Sequence, residues 1–316
     1  MRRRVLTVLS AAVAIGLVGA VPAQAADTRI SGANRFETAA LVSAAFDGSE
    51  FAPVYLATGE NFPDALAASA AAGADQSRVL LTSRYSVPQA TWDELQGLGT
   101  RSVYVIGGTT SVSAEVETEL ERRGYSVLRL EGANRYGTAV QTARILFDDP
   151  DTAFLATGQN FPDALAGAAA AGSLGAPILL VGRDTVPAEV RDAFTEQFLP
   201  LRPSRFFVLG GEGAISPAVI DQIRALGFQN ASFERLGGNT RYATAVAVGQ
   251  RFFPGNDTAV LAVGDNYPDA LAAGPFAAEI DAPLLLTQVG STPVETAVEL
   301  ERRRPDNVVF VGAARP

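Results

Sequence analysis

The sequence predicts an α/β protein made of three similar units, each a parallel sheet covered on both faces by helices. Two observations predict this fold. One set of sequence blocks occurs three times along the 316-residue chain, and within each copy short apolar runs alternate with segments of helical periodicity. Almost wholly apolar strands that alternate with helices are typical of a parallel sheet buried on both faces.

The repeated blocks keep the same order in all three copies. One reads RISGANRFETA, RLEGANRYGTA and RLGGNTRYATA, starting at Arg29, Arg129 and Arg235. The next reads LATGENFPDALA, LATGQNFPDALA and LAVGDNYPDALA, followed by a leucine-rich run and by an apolar run that ends in glycine. The copies are 100 and 106 residues apart. Because solenoid repeats span only about 20–50 residues, each copy is expected to be a small domain.

The first unit opens with a predicted helix over Arg35–Phe46. It follows Asn34, a good N-cap residue, and Glu37 completes a capping-box pattern. Val54–Thr58 is an apolar run of strand length. A proline then opens a second predicted helix, Pro63–Gly73, because proline is favoured at the first helical position. Its alanine-rich part suits close packing against the sheet or a sister unit.

The same alternation continues through the rest of the unit. Val79–Thr82 and Val103–Ile106 are predicted strands, since both are short and rich in aliphatic residues. Val87–Leu98 and Val112–Arg123 carry apolar residues at i, i+3 and i+4, which predicts helices. Tyr125–Leu130 is a further strand that leads into the second unit.

These patterns divide the chain into four segments. Residues 1–25 form a signal peptide, and the three units span residues 26–124, 125–230 and 231–316. The first copy shows almost no strand before Arg29. The third copy is expected to be incomplete at its C-terminal end, because four residues follow Gly312 where the other copies continue into a helix.

The N-terminal segment predicts export. Arginines at positions 2–4 precede the apolar run Val5–Val21, and Ala23-Gln24-Ala25 is an A-x-A cleavage site that places the mature start at Ala26. The alternative is a transmembrane anchor, but the apolar run is short and a cleavage motif follows it at once. We expect a protein that is secreted to the cell wall or cell surface and not held by a membrane.

The composition excludes several classes of site. Cysteine, histidine and lysine do not occur, so disulfides, Cys/His zinc sites, Ser-His-Asp triads and Schiff-base lysines are impossible. The net charge of −9 becomes −12 without the three signal arginines, which argues against general nucleic-acid binding. We expect no catalytic residue, metal or cofactor, and an anionic ligand would need a local cluster of arginines.

The ANR[FY]xTA block, the NFPDALA block, the leucine-rich strand and the glycine-ended strand, in three tandem copies behind a signal peptide, resemble cell wall binding repeat 2. This family occurs in surface proteins of Gram-positive bacteria. The resemblance covers Arg29 to Gly312. It implies three Rossmann-like parallel-sheet modules in a pseudo-threefold arrangement within one monomeric chain. It also implies non-covalent attachment to an anionic cell wall glycopolymer.

Polar residues that recur at equivalent positions in two or all three copies are the candidate ligand-binding residues. They are Arg35, Arg135, Arg241, Asn34, Asn134, Asn61, Asn160, Asn266, Asp64, Asp163 and Asp269. Asn34 and Asn134, with Thr240 in the third copy, also fit plain N-capping. The arginines lie in a first helical turn, where a cation opposes the helix dipole. They therefore either pair with a carboxylate of a neighbouring unit or bind an anionic ligand through the planar guanidinium fork.

The asparagines and aspartates recur around the start of the second helix of each unit. Aspartate after Pro63, Pro162 and Pro268 favours the helix dipole, which alone could account for it. However, the preceding loop lies at the carboxyl edge of the predicted sheet, where α/β proteins bind ligands. The spacing does not show that the three aspartates converge on a catalytic site.

The sequence thus predicts a secreted, non-catalytic protein that binds an anionic wall glycopolymer through three repeated weak sites. Two alternatives stay open. One is a wall-polymer hydrolase that uses the repeated aspartates, and the other is a structural surface protein whose partner is a protein.

Overall fold

The computed structural model describes residues 26–46, 52–61, 63–160, 162–197, 200–255 and 257–314. The predicted signal peptide, residues 1–25, lies outside these ranges. The strands are β1 (Ala26–Ile30), β2 (Val54–Thr58), β3 (Val79–Thr82), β4 (Ser102–Ile106), β5 (Ser126–Leu130), β6 (Thr152–Thr157), β7 (Ile178–Val181), β8 (Arg205–Leu209), β9 (Ser232–Leu236), β10 (Thr258–Val263), β11 (Leu284–Thr287) and β12 (Asn307–Val311). The helices are α1 (Arg35–Ala44), α2 (Pro63–Ala74), α3 (Gln89–Gly97), α4 (Ala114–Arg122), α5 (Arg135–Leu146), α6 (Pro162–Ser173), α7 (Ala188–Thr195), α8 (Pro217–Ala225), α9 (Arg241–Phe252), α10 (Tyr267–Glu279) and α11 (Val294–Arg303).

The strands form three parallel sheets of four strands each. Their orders are β3-β2-β4-β5, β7-β6-β8-β9 and β11-β10-β12-β1. The prediction of three α/β modules with parallel sheets is therefore confirmed. In each unit the chain forms an inner strand first (β2, β6 or β10) and then the edge strand beside it (β3, β7 or β11). It next forms the inner strand on the opposite side of the first one (β4, β8 or β12). This reversal of direction creates a topological switch point in every sheet.

The fourth strand of each sheet is formed by the residues around the start of a repeated block, at Arg129, Arg235 or Arg29. β5 pairs with β4, β9 pairs with β8, and β1 pairs with β12 in the register Arg29 to Phe310. The first strand of the chain therefore completes the third sheet and closes a ring of three units. The expectation of almost no strand before Arg29 is corrected by this pairing. Asp27, Thr28 and Arg29 are exposed because β1 is an edge strand, so the segment lacks an apolar run.

The inner strands are apolar because both of their faces are buried. Along β2, Tyr55 and Ala57 face a central core shared by the three units, whereas Val54 and Leu56 face an outer core of the first unit. The second and third units have outer cores of their own. Because both faces are buried, every position of β2 and β3 before the final threonine is occupied by an apolar or aromatic residue, which is why the bounds predicted for these strands match the structure.

The helices also follow the prediction, with ends trimmed by capping. α1 begins at Arg35 as predicted, because the Asn34 side chain accepts hydrogen bonds from the first free backbone N–H groups. α3 begins at Gln89, two residues after the predicted start, since Pro88 is its N-cap residue. None of the helices in the described part of the chain is long and apolar enough to cross a bilayer.

The alanine-rich helices α2, α6 and α10 pack against one another at the centre of the ring. Gly172 of α6 lies so close to α2 that a Cβ at Gly172 would be 2.9 Å from the Cα of Gly73. The Ser69 hydroxyl donates to the Leu271 carbonyl across the contact between α2 and α10 at 3.0 Å. The expectation of close packing against a sister unit is confirmed, and small side chains are what permit it.

Candidate functional site

An open cleft lies at the carboxyl edge of the second sheet, beside its switch point. We number the clefts after their sheets, so this is the second cleft. It has a volume of about 480 Å³ and is formed by the loops that follow β6, β8 and β9. It is lined by Asn160, Pro162, Asp163, Gly211, Glu212, Gly213, Ala214, Gly238, Asn239, Thr240 and Arg241. Residues of the second and third repeats therefore share one cleft, at the position where open α/β sheets bind ligands.

The third sheet carries an equivalent cleft of about 370 Å³. This third cleft is formed by the loops that follow β10, β12 and β1, so both ends of the folded ring contribute to it. Its lining residues are Arg29, Ser31, Gly32, Ala33, Asn34, Arg35, Thr38, Asn266, Asp269, Val289, Gly312 and Ala313. The equivalent edge of the first sheet, called the first cleft below by analogy, carries Asn61 after β2 and Asn134 and Arg135 after β5. The Asp64 side chain lies outside the described part of the chain.

Each candidate arginine is anchored by a backbone carbonyl of its own repeat. Nη1 of Arg35 donates to the carbonyl oxygen of Gly59. The equivalent bonds run from Arg135 to the Gly158 oxygen at 2.5 Å and from Arg241 to the Gly264 oxygen at 2.6 Å. A guanidinium has five N–H donors, so one carbonyl orients the group without exhausting it.

The surroundings of Arg241 show how open these positions are. Its Nη1 atom lies 3.3 Å from the Oδ1 atom of Asp265, and its side chain is 36% exposed. The side chains of Arg35 and Arg135 are half-buried. The arginines are thus held at the mouths of clefts in contact with solvent.

The described aspartates meet the arginine of the following repeat across the interface between units. Asp163 accepts a hydrogen bond from the Thr244 hydroxyl and lies in the field of Arg241. Asp269 accepts the Ala313 N–H at 3.4 Å and lies in the field of Arg35. Burial raises the pKa of both carboxyls above the ordinary aspartate value, and the hydrogen bonds and arginines offset only part of this rise.

A glycine that follows β8 and another that follows β12 make room for these aspartates. Gly210 has φ of 91°, and a Cβ there would lie 2.5 Å from Oδ2 of Asp163. Gly312 has φ of 67°, and a Cβ there would lie 1.9 Å from Oδ2 of Asp269. The glycine-ended strands are therefore tight turns shaped around a carboxylate.

The predicted caps are present. The Asn34 side chain accepts hydrogen bonds from the N–H groups of Phe36 and Glu37, and the Asn134 side chain accepts the equivalent pair. Thr240 accepts the Ala243 N–H in the third copy. Asn34 and Thr240 also line the third and second clefts, so capping and a place in a cleft coexist at these positions.

The remaining candidate asparagines lie on the exposed loops that precede α2, α6 and α10. Asn160 lines the second cleft, Asn266 lines the third, and Asn61 is exposed at the equivalent position of the first unit. The structure therefore joins arginine, asparagine and aspartate from two repeats in one cleft, and it keeps Asp163 and Asp269 in separate clefts. Among the described residues no group of three or more acids could hold a metal ion.

A second recurring set of arginines, called the second-set arginines below, was not among the candidates predicted from the sequence. Arg29, Arg129 and Arg235 lie at the carboxyl ends of β1, β5 and β9 and donate to the carbonyl oxygens of Gly312, Gly107 and Gly210 at 3.0, 2.8 and 2.9 Å. They recur with the same spacing as the candidate arginines, which was the available signal. Each lies beside the glycine turn of its cleft.

Comparison with known proteins adds independent findings. The sequence model of the cell wall binding domain 2 family matches residues 29–117, 129–220 and 235–314. The chain is 28% identical to N-acetylmuramoyl-L-alanine amidase LytC of Bacillus subtilis over 301 residues, which cover 94% of this chain and 58% of the relative. It is 29% identical to the amidase enhancer of the same bacterium over 268 residues, which cover 84% of this chain and 35% of the relative.

Solved structures show the same architecture. Cwp6 from Clostridium difficile superposes with a TM-score of 0.83 at 27% identity, covering 92% of this chain and 46% of the other. Cwp8 from Clostridium difficile superposes with a TM-score of 0.79 at 26% identity, covering 90% of this chain and 49% of the other. The chain thus spans about half the length of these proteins.

Proposed function

The chain belongs to the cell wall binding domain 2 family, and from this membership we propose that it is a secreted, non-catalytic protein that binds an anionic cell wall glycopolymer in its three clefts. Cell wall binding itself is supported by the family and by the structural neighbours. One observation carries the finer proposal. An arginine of one repeat and the asparagine and aspartate loop of another meet in an open cleft, and this arrangement occurs in both the second and the third cleft.

The charge distribution suits a polymer better than a single small anion. The chain as a whole is acidic, so each cleft attracts an anion only through its local arginines. A single site of this kind is expected to be weak. A polymer that occupies several clefts makes each later contact intramolecular, which can raise the overall affinity by about 100-fold or more.

The lining of the third cleft, unlike that of the second with Asp163 and Glu212, lacks a pair of carboxylates, which supports a binding role over hydrolysis there. Its lining contains one acid, Asp269, together with Arg29 and Arg35. Glycosidases use two carboxylates on either side of the bond that is cleaved. In addition, the matched relatives are much longer than this chain, so the amidase activity in the name of LytC belongs to a protein of which this chain covers 58%.

Retention on purified cell walls tests the proposed function. We expect the protein to bind walls that have been stripped of protein, and to be released as salt increases, since exposed charge pairs are screened beyond about 8 Å in physiological salt. The measurement is the fraction that sediments with the walls. Binding only to untreated walls would instead indicate a protein partner.

Polymer binding is expected to strengthen as the pH falls from neutral toward the range in which Asp163 and Asp269 take up protons, which begins above that of an exposed aspartate. Asp163 and Asp269 have a raised pKa, so they take up a proton at a higher pH than an exposed aspartate does. Protonation removes a negative charge from the second and third clefts, and an anionic polymer is then repelled less. The measurement is wall retention as a function of pH, with a polymer whose anionic groups stay ionised over this range.

The control is the double variant Asp163→Asn, Asp269→Asn, in which both clefts are neutral at these positions at every pH. It should bind more tightly than the wild type at neutral pH and show a flatter profile. If wild type and variant have the same pH profile, the two carboxyls do not face the ligand.

A further inference from the structure

The clefts share one backbone design but differ in charge. In and beside the third cleft, Arg29 and Arg35 balance Asp269 and Glu37, a formal charge of 0, whereas Arg235 and Arg241 in and beside the second meet three acids, a formal charge of −1; these acids are Asp163, Glu212 and Glu295. In the first cleft, the Glu131 carboxylate lies 3.1 Å from where a Cβ of Gly108 would be. Arg129 beside it is paired with Glu117 at 2.8 Å.

Single residues account for this difference. The position two residues after the second-set arginine is Ser31 in the third cleft, Glu131 in the first and Gly237 in the second. The turn that carries Glu212 in the second cleft is replaced in the third by Gly312 and Ala313. Val289 completes the lining there, next to Ala314, with which it forms a β-bridge.

The second-set arginines differ accordingly. Arg129 is paired with Glu117, and Arg235 lies in the field of Glu212. The hydrogen bond of the Arg29 side chain goes to a neutral group, the Gly312 carbonyl at 3.0 Å, and Arg29 is an exposed residue. In the third cleft, therefore, two guanidiniums face one half-buried carboxyl whose pKa is raised by burial.

We infer that the third cleft is the dominant anion-holding subsite of the ring, and that Arg29 and Arg35 together hold one anionic group of the polymer there. This inference rests on the proposed function and deepens it by ranking the three clefts. Asn266 and Asp269, in the same cleft, offer acceptor oxygens to the hydroxyl groups of the attached sugar. The first and second clefts then add weaker contacts along the same polymer.

Ser31→Glu tests the ranking, because it places in the third cleft the acid that the first cleft carries at the equivalent position. Ser31 is exposed, so the fold is expected to be unaffected. The affinity for protein-stripped cell walls should fall by roughly tenfold, since a charge a few ångströms from the ligand opposes its binding. The measurement is a sedimentation isotherm on these walls, with thermal unfolding as the check on folding.

The matched control is Ser126→Glu. Ser126 is also exposed and lies at the start of β5, at the opposite edge of its sheet from the clefts, so this variant has the same net charge. Its affinity should stay within about twofold of the wild type, because the added charge is far from the ligand and screened. Equal loss in both variants would overturn the inference.

The reverse substitution, Glu131→Ser, tests the same ranking from the other side. It is expected to raise wall affinity, because it gives the first cleft the residue found in the third. A wild type that does not bind stripped walls at all would contradict the proposed function itself. A wild type that binds normally, with Ser31→Glu indistinguishable from Ser126→Glu, would contradict only the ranking.

Discussion

Replacing Arg35, Arg135 and Arg241 together by glutamine is expected to abolish retention on cell walls at physiological salt. Each substitution removes a cation from one cleft, and the carbonyl that orients it is in the same repeat. Because the three contacts reinforce one another along a polymer, their joint loss should lower the apparent affinity by about 100-fold or more. The measurement is sedimentation with protein-stripped walls.

The fold of this triple variant is expected to survive. Each arginine bond to a glycine carbonyl contributes about 1.5–3 kcal/mol because its donor is charged, and the glutamine amide can donate to the same carbonyl and keep part of this. A control in which the exposed arginines Arg122, Arg191 and Arg202 are replaced by glutamine removes the same charge away from the described clefts. Unchanged retention of a folded cleft variant would show that these arginines only hold the loops in place.

Gly172→Val is expected to lower the free energy of unfolding by roughly 3 kcal/mol, since overpacking a close contact commonly costs this much. Even a Cβ at this position would lie 2.9 Å from the Cα of Gly73 and 3.1 Å from the Cβ of Ala278. Valine therefore forces apart the three central helices that unite the units. Urea unfolding of the purified protein measures the loss.

Gly97→Val is the matched control for this substitution. Gly97 ends α3, and a Cβ there meets no atom within 4 Å. The same change of side chain should therefore alter the free energy of unfolding by only about 0.5 kcal/mol. If the two variants were equally stable, the central helix contact would not be what holds the units together.

Much of the fold could be predicted because each repeat is locally consistent. The runs Val54–Thr58 and Val79–Thr82 are apolar at every buried position except the final threonine, and the structure gives them the same bounds. Asn34 marks the start of a helix by a mechanism that acts within three residues. Where burial or capping is decided by neighbours in sequence, the pattern and the structure agree.

Ring closure could not be predicted in this way. β1 is an edge strand with exposed Asp27, Thr28 and Arg29, so no apolar pattern indicates it, and its partner β12 lies at the other end of the chain. The same holds for the charge in each cleft. Arg35 and Asp269 meet only because the ring brings the first and third repeats together.

The residue types of the candidate site were predicted, whereas the partners that meet in each cleft were not. Candidate residues line the second and third clefts, and their role in binding stays a prediction; they are Asn160, Asp163 and Arg241 in the second and Asn34, Arg35, Asn266 and Asp269 in the third. Arg29 was overlooked because strand residues before a glycine turn have no local signature of function. Its repetition at the same spacing as Arg35 was the only sequence signal for it.

The most direct test of the central claim compares two wall preparations, both stripped of protein, of which one has also had its anionic polymers extracted. The wild-type protein should sediment with the first preparation and remain in solution with the second, and the released polymers should compete for binding. Equal binding to both preparations would contradict the claim that the clefts hold an anionic polymer.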